Sequence, residues 1–251
     1  KYRGITLISI VGNVFNRVIL ERLKEGLDTK LRDEQAGFRK GKSCADQIGV
    51  LRIIVEQSLE WKSPLYINFI DFEKAFDSVD RETLWKLLRK HGVPKKITNL
   101  IKNMYEGTSA RVIHVGELTD SFKINTGVRQ GCLLSPFLFL LAVDHIMNNT
   151  TEKRKNGIQW TITTMLDDLD FADDIALLSH NHNQMQEKTD IMNTVSKNIG
   201  LKINRNKTKV IRILTANNNE ISVDGEPLED VSSYTYLGST IKKDGGVEED
   251  A

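Results

Sequence analysis

The stretch MLDDLDFADDIALLS (Met165–Ser179) decides how this chain is read. Asp167, Asp168, Asp170, Asp173 and Asp174 put five carboxylates into eight positions. Ile175-Ala176-Leu177-Leu178 follows at once, an apolar run of the kind that forms a buried strand. Leu169, Phe171 and Ala172 supply apolar residues on the other side of Asp173-Asp174. Two residues between strands are what a tight hairpin needs, and Asp tolerates the positive φ of such turns. One reading is a turn that happens to be Asp-Asp. The other is a pair of carboxylates lifted towards a cleft.

A third carboxylate sharpens the choice. Leu65-Tyr66-Ile67-Asn68-Phe69-Ile70 reads as a strand, alternating at first and then apolar on both sides, and it ends at Asp71. Asp71 lies too far upstream to cap the next helix, a task open to Asp77 or Asp80. Two carboxylates about 4 Å apart repel by about 4 kcal/mol at an effective dielectric of 20. Either one of them holds a proton or cations neutralise both. Hard ions such as Mg²⁺ prefer carboxylate and phosphate oxygens. Two of them about 3.5–4 Å apart stabilise the attacking and leaving oxygens of phosphoryl transfer. Other chemistries fail on spacing. A Ca²⁺ loop starting at Asp168 would need Gly at Asp173 and Glu at Ser179. Zinc finds no Cys or His within Met165–Ser179, and the chain has no Gly-x-Ser-x-Gly elbow.

The rest of the chain is consistent with a soluble α+β domain. It has 251 residues, 39% apolar and 27% charged, with a net charge of +1. It begins with Lys1 rather than Met and reads as a fragment. Lys1 to Gly12 has no signal-peptide pattern, and the apolar run Phe137–Val143 is too short for a membrane span, which needs roughly 20 residues. Cys44 and Cys132 have no metal-type spacing, so the expected compartment is intracellular, with nucleus and cytoplasm both open. Arg39, Lys40 and Lys42 cluster among glycines, and Lys202, Arg205, Lys207, Lys209 and Arg212 share one window without an acid. A solvated face is the plain reading of either cluster.

Helical spacing is expected through Val11, Phe15, Val18, Ile19 and Leu23, and again through Ile48, Leu51, Val55 and Leu59. Further helices are expected up to Gly92, after Pro94, from Ser135 to about Met147, and from Met185 to Ile199. Ala110–Val115 and Ser121–Asn125 read as a hairpin turning at Gly116. Strands are expected at Ile158–Thr163, on both sides of Asp173-Asp174, at Lys209–Leu214 and at Tyr234–Ile241. Helices and strands mix without a regular βαβ repeat, so an antiparallel sheet fits best.

These residues resemble a known family. Phe171-Ala172-Asp173-Asp174 resembles the x-Ala-Asp-Asp turn of reverse transcriptases, and the segment Phe69 to Val79 resembles the strand that carries their other catalytic aspartate. Between them, Gly127-Val128-Arg129-Gln130-Gly131-Cys132-Leu133-Leu134-Ser135-Pro136 is similar to the family's Arg-Gln-Gly…Ser-Pro motif. Gln35-Ala36-Gly37-Phe38-Arg39-Lys40-Gly41 resembles the fingers motif. Gly200-Leu201-Lys202-Ile203-Asn204…Lys207-Thr208 and Tyr236-Leu237-Gly238 resemble the last two palm motifs. The set runs in family order from about Arg3 to Gly238, with the flavour of non-LTR (LINE-like, RTE-type) retrotransposon polymerases. Gly4 and Leu134 stand where Pro is usual.

The resemblance implies a right-hand polymerase: fingers over 1–64, palm over 65–251, an antiparallel palm sheet backed by helices, and no thumb. The 108–127 hairpin is open to assignment on the fingers side. It implies two Mg²⁺ ions, with Mn²⁺ as a substitute, held by Asp71, Asp173 and the carbonyl of Phe72, and assisted by Asp174. Phe76 matches the bulky gate against a ribose 2′-OH; an ordinary core role is the alternative. Arg129, Gln130 and Gly131 would sit by the templating pair and incoming nucleotide, Arg39 on phosphates, with Lys40 and Lys42 less directly involved. Lys207 would lie near the leaving pyrophosphate or along nucleic-acid backbone, and Tyr236, Leu237 and Gly238 would form the primer grip. The implied partners are an RNA template, a DNA primer and dNTPs, with no membrane and an open oligomeric state. The implied activity is RNA-directed DNA polymerisation. The alternative is an inactive, retrotransposon-derived nucleic-acid-binding fragment.

Overall fold

The structure, a computed structural model, describes residues 5–151 and 156–246. Arg3 and Gly4 of the opening motif lie outside the described residues. Backbone contacts divide the chain into two units, Lys1–Lys30 with Lys74–Ala142, and Leu31–Glu73 with Val143–Ala251. This division cuts across the expected 1–64 and 65–251 segments.

The first unit is mainly helical. Helix α1 (Ile10–Leu27) starts at Ser9, whose hydroxyl accepts the Gly12 N–H at 3.2 Å. It buries Ile19, Leu20, Leu23 and Leu27, while Val11, Phe15 and Val18 of the expected apolar face are exposed. Only the C-terminal half of the helix is packed, so periodicity overstated the buried stripe. The short helix α3 is Ala75–Ser78 and α4 is Arg81–Lys90. Asp80 caps α4 by accepting the Thr83 N–H at 2.7 Å. Helix α5 is Lys95–Tyr105, and α6 (Ser135–Thr151) begins in this unit and continues into the other. The expected hairpin is present: Ser109–Ala110 pairs with Phe122–Lys123, and Ile113–His114 with Glu117–Leu118 around Val115-Gly116.

Arg81 organises the loop that follows this hairpin. Its guanidinium donates to the carbonyls of Gly127 (2.8 Å), Ile124 (2.8 Å) and Thr126 (3.0 Å) and lies 4.9 Å from the Tyr105 ring centre. One side chain thus holds three carbonyls of this loop.

The second unit is built on a sheet. Its strands are β1 (Leu65–Ile70), β2 (Asp168–Phe171), β3 (Asp174–Ser179), β4 (Lys209–Ile213) and β5 (Glu229–Asp230). The order is β5-β4-β1-β3-β2. Every pairing is antiparallel except the two-residue edge pair β4–β5, so the expected all-antiparallel sheet carries one parallel edge. Helix α2 (Cys44–Glu60) covers one face through Leu51, Ile54 and Val55, which pack with Leu65, Ile67 and Phe69. Helix α7 (His182–Asn198) covers the other, where Asn68 donates to Thr189 at 3.0 Å and Tyr66 meets His182 edge-on. Both faces are covered, which explains why all six residues of β1 are buried. The segment expected as one strand over Tyr234–Ile241 is instead a hairpin, β6 (Ser233–Tyr236) and β7 (Ser239–Lys242). Leu237 and Gly238 form its turn with φ of 52° and 85°, a primed turn. The strand expected over Ile158–Thr163 is only Ile158–Gln159, paired with Met165–Leu166. Among the described residues no helix is long and apolar enough to cross a membrane.

Candidate active site

The end of β1 and the β2–β3 turn meet at one edge of the sheet. Strand β1 pairs with β3 up to Ile70↔Ile175, so Asp71 and Asp174 leave the same end of neighbouring strands. The turn differs by one position from the expected Asp-Asp loop. Phe171 pairs with Asp174, which leaves Ala172 and Asp173 as the two loop residues. Ala172 takes the positive φ (58°), and Asp174 is the first residue of β3. Of the predicted site residues, Asp71, Asp173, Asp174 and Lys207 come together here.

Their electrostatics are those of crowded like charges. Burial, then Asp173, then Asp71 push the Asp174 pKa up to about 6, while Lys207 pulls the other way. Lys207 Nζ lies 2.8 Å from Asp71 Oδ2. Asp71 Oδ1 is buried and has no hydrogen-bond partner. The backbone around Asp71 is fixed: its N–H donates to Thr208 Oγ1 at 3.2 Å, and its carbonyl accepts the Asn204 N–H at 2.8 Å. Phe72 continues the chain in an antiparallel bridge with Ile203. Tyr234, a residue the sequence reading passed over, stacks on Phe69 at 4.3 Å. Its phenol is pushed up by burial and then by Asp174 and Asp71. An orphaned acceptor beside mutually repelling carboxylates fits a hard divalent cation. Among the described residues no group of three or more His, Cys, Asp or Glu side chains is closed around a metal position.

The three acids upstream of the turn have other work. Asp168 and Asp170 are fully buried. Arg32 donates to both oxygens of Asp168 at 2.6 Å and to Asp170 at 3.2 Å. Burial would lower the Arg32 pKa, yet Asp168 and Asp170 hold it above the ordinary guanidinium value. Burial and Asp168 push Asp170 up, against Arg32. Asp167 receives the buried Lys188, 3.2 Å away, whose ammonium also donates to the carbonyl of Leu178. These carboxylates are internal counter-charges carried on β2 and the residue before it.

Other predicted residues are placed as follows. Arg39 donates to the carbonyls of Arg32 (2.6 Å) and Gln35 (3.1 Å), tying its own loop together. The basic window is largely neutralised within the chain: Lys202 pairs with Glu73, Lys207 with Asp71, Lys209 with Glu229 and Arg212 with Asp230. Tyr236 is 2% exposed and donates to the Leu169 carbonyl at 3.0 Å, facing the core, with Leu237 and Gly238 in the turn beyond it. Phe76, Arg129, Gln130 and Gly131 belong to the first unit. There Phe76 stacks on Phe139 with centres 4.5 Å apart. Arg129 donates to the Met104 carbonyl at 2.5 Å and lies over Tyr105. Gln130 donates to Asp77 at 3.1 Å. Gly131 has φ of 95°. Arg81, Arg129, Gln130 and Asp77 line a cavity of about 720 Å³ with Thr6 and the 109–124 hairpin.

A family model described as reverse transcriptase (RNA-dependent DNA polymerase) matches residues 1–241. The Pol polyprotein of the type-2 retrotransposable element R2DM of Drosophila melanogaster is 28% identical over 84% of this chain and 20% of its own length. The probable RNA-directed DNA polymerase from transposon BS of the same fly is 27% identical over 97% of this chain and 27% of its own length. The chain thus spans about a fifth to a quarter of these two relatives. Among solved structures, the apo telomerase of Candida tropicalis truncated from its C-terminal domain superposes with a TM-score of 0.57 at 16% identity, covering 91% of this chain and 43% of that one. The Candida albicans telomerase in complex with a fragment of telomeric RNA gives 0.58 at 15% identity, covering 96% and 38%.

Proposed function

Because the chain belongs to the reverse transcriptase (RNA-dependent DNA polymerase) family, we propose that it is the catalytic core of an RNA-directed DNA polymerase from a non-LTR retrotransposon. The sheet is its palm, and the chain before residue 64 contributes to the fingers. The observation that carries the reading is the Asp71–Asp173–Asp174 edge, with an unpaired buried oxygen on Asp71 and an Asp174 carboxyl raised to about 6 by its neighbours.

The reaction joins a primer 3′-hydroxyl to the α-phosphate of a dNTP, with pyrophosphate as leaving group. Asp71 and Asp173 would hold two Mg²⁺ ions with the Phe72 carbonyl, and Asp174 would add negative charge beside them. When bound, the ions neutralise the charge that develops on the attacking and leaving oxygens. Lys207, whose ammonium lies 2.8 Å from Asp71, would meet the departing pyrophosphate or the nucleic-acid backbone. Phe76 would exclude the ribose 2′-hydroxyl, and Arg129 and Gln130 would orient template and nucleotide. An RNA template and a DNA primer are the partners this reading needs.

The test is primer extension on an RNA template with Mg²⁺ and dNTPs. Wild-type chain is expected to extend the primer and Asp173→Ala to abolish extension. Binding of the primer–template without synthesis by wild type would support the alternative of an inactive nucleic-acid-binding remnant.

A further inference from the structure

The carboxylates of the β2–β3 turn are only as well placed as the turn itself, and its geometry is not one that its own residues favour. The first loop position has φ of 58° and is occupied by Ala172, which carries a Cβ where Gly is preferred. Nothing in the local sequence compensates for that. The compensation comes from more than a hundred residues upstream. Gln35 is 1% exposed. Its Oε1 accepts the Ala172 N–H and the Gly37 N–H, each at 2.8 Å, and its Nε2 donates to the Ala172 carbonyl at 3.3 Å. With two N–H donors facing one atom, the network fixes which end of the amide is oxygen. Both backbone groups of the strained residue are thus held by one side chain.

The surrounding segment is fitted to the same purpose. Gln35 bridges Asp170 in parallel, and the Ala36 N–H donates to the Asp170 carbonyl at 2.8 Å, so this segment lines the outer edge of β2. Gly37 packs so close that a Cβ there would lie 2.3 Å from the Ala172 nitrogen. Only glycine permits that approach.

We infer that Gln35, with Gly37 beside it, is a positioning residue: its amide clamps Ala172 in the left-handed conformation and thereby aims the Asp173 carboxylate for cation binding. This rests on the polymerase reading for its purpose, but the clamp itself is a property of the turn. Partners one shell out from a ligand commonly change metal affinity or activity by roughly 10- to 100-fold when lost.

The experiment uses the full chain and two readouts. Gln35→Met keeps the length and removes the amide. Mn²⁺ binding, followed by electron paramagnetic resonance without nucleic acid, is expected to weaken roughly 10-fold or more. In primer extension, the Mg²⁺ concentration for half-maximal rate should rise in parallel while the KM for dNTP stays within about twofold. Adding Ala172→Gly, which takes positive φ without a Cβ penalty, should recover part of both losses. A packing role of Gln35 unconnected with the turn would not give that rescue. If Gln35→Met does not fold, Gln35→Asn carries the same readouts: it keeps a neutral amide in the buried site but is one methylene too short to hold the N–H and carbonyl of Ala172 together, and should fall between wild type and the full loss. A folded Gln35 variant with wild-type Mn²⁺ affinity, or a rescue variant that is worse than the single one, overturns the inference. Wild type that binds Mn²⁺ but extends no primer defeats the polymerase reading alone, and the Mn²⁺ comparison still decides the clamp.

Discussion

Asp174 shows how much a single side chain carries at this edge. Its carboxyl titrates near 6 rather than 3.8 because it is partly desolvated and flanked by Asp173 and Asp71. A raised carboxylate pKa means that the native state binds a proton more readily than the unfolded chain. Stability is therefore present below about pH 4 and lost as pH rises through about 6. Asp174→Asn removes the charge, so in EDTA at pH 7–8 the variant should melt higher than wild type. Solvent screening at this exposed position limits the gain to about 1 kcal/mol, or about 2–4 °C in Tm. The two proteins should melt alike below pH 4; a difference that persists there would trace to something other than repulsion. Phe76 makes the second case. It lies on Phe139 at 4.5 Å, a contact that an ordinary core residue would also make. Phe76→Ala should lose the stacking, about 0.5–1.5 kcal/mol beyond area burial. If the ring is also the gate, ribonucleotide incorporation should rise by roughly 10-fold or more. Destabilisation with unchanged sugar selectivity would leave Phe76 a core residue only.

At the scale of elements, the acidic stretch was half legible. Its apolar flanks declared two strands, and the paired acids declared a turn, because period-2 alternation and turn chemistry are local signals. The one-residue displacement to Ala172-Asp173 was not local, since it depends on Gln35 and on the pairing of Phe171 with Asp174. Likewise Asp167, Asp168 and Asp170 could not be explained from the sequence, because their counter-charges, Arg32 and Lys188, arrive from other elements. The single strand expected over Tyr234–Ile241 failed for a related reason: Leu237 gives no turn signal, yet it takes φ of 52° beside Gly238. The Arg32 cluster yields a prediction at this scale. Arg32→Met leaves Asp168 and Asp170 buried and uncompensated within β2, a loss of about 3–5 kcal/mol in urea unfolding. Adding Asp168→Asn and Asp170→Asn should restore much of it. If the triple variant is no more stable than Arg32→Met, the cost lies in lost packing and not in stranded charge.

Across the whole molecule, stability follows how many covered neighbours each strand has. Strand β1 is central in its sheet, paired on both sides and buried on both faces. Its partners β3 and β4 lie more than a hundred residues downstream, so no periodicity could announce the pairing, although the doubly apolar character of Leu65–Ile70 did announce that something would cover both faces. The 109–123 hairpin is the opposite case. Its pairings are two residues long, and Ile113, Val115, Leu118 and Phe122 are all exposed. Local opening free energies run from near zero in such elements up to the global value in central strands. Amide hydrogen exchange should therefore be slowest in Tyr66–Ile70 and Ile175–Leu178, at rates set by global unfolding. It should be faster by several orders of magnitude in Ser109–Lys123. Nucleic acid bound along the cavity that this hairpin lines would slow exchange at its residues while leaving β1 unchanged. Equal protection of hairpin and sheet in the unbound protein would mean that the hairpin is held by more than its own short pairings.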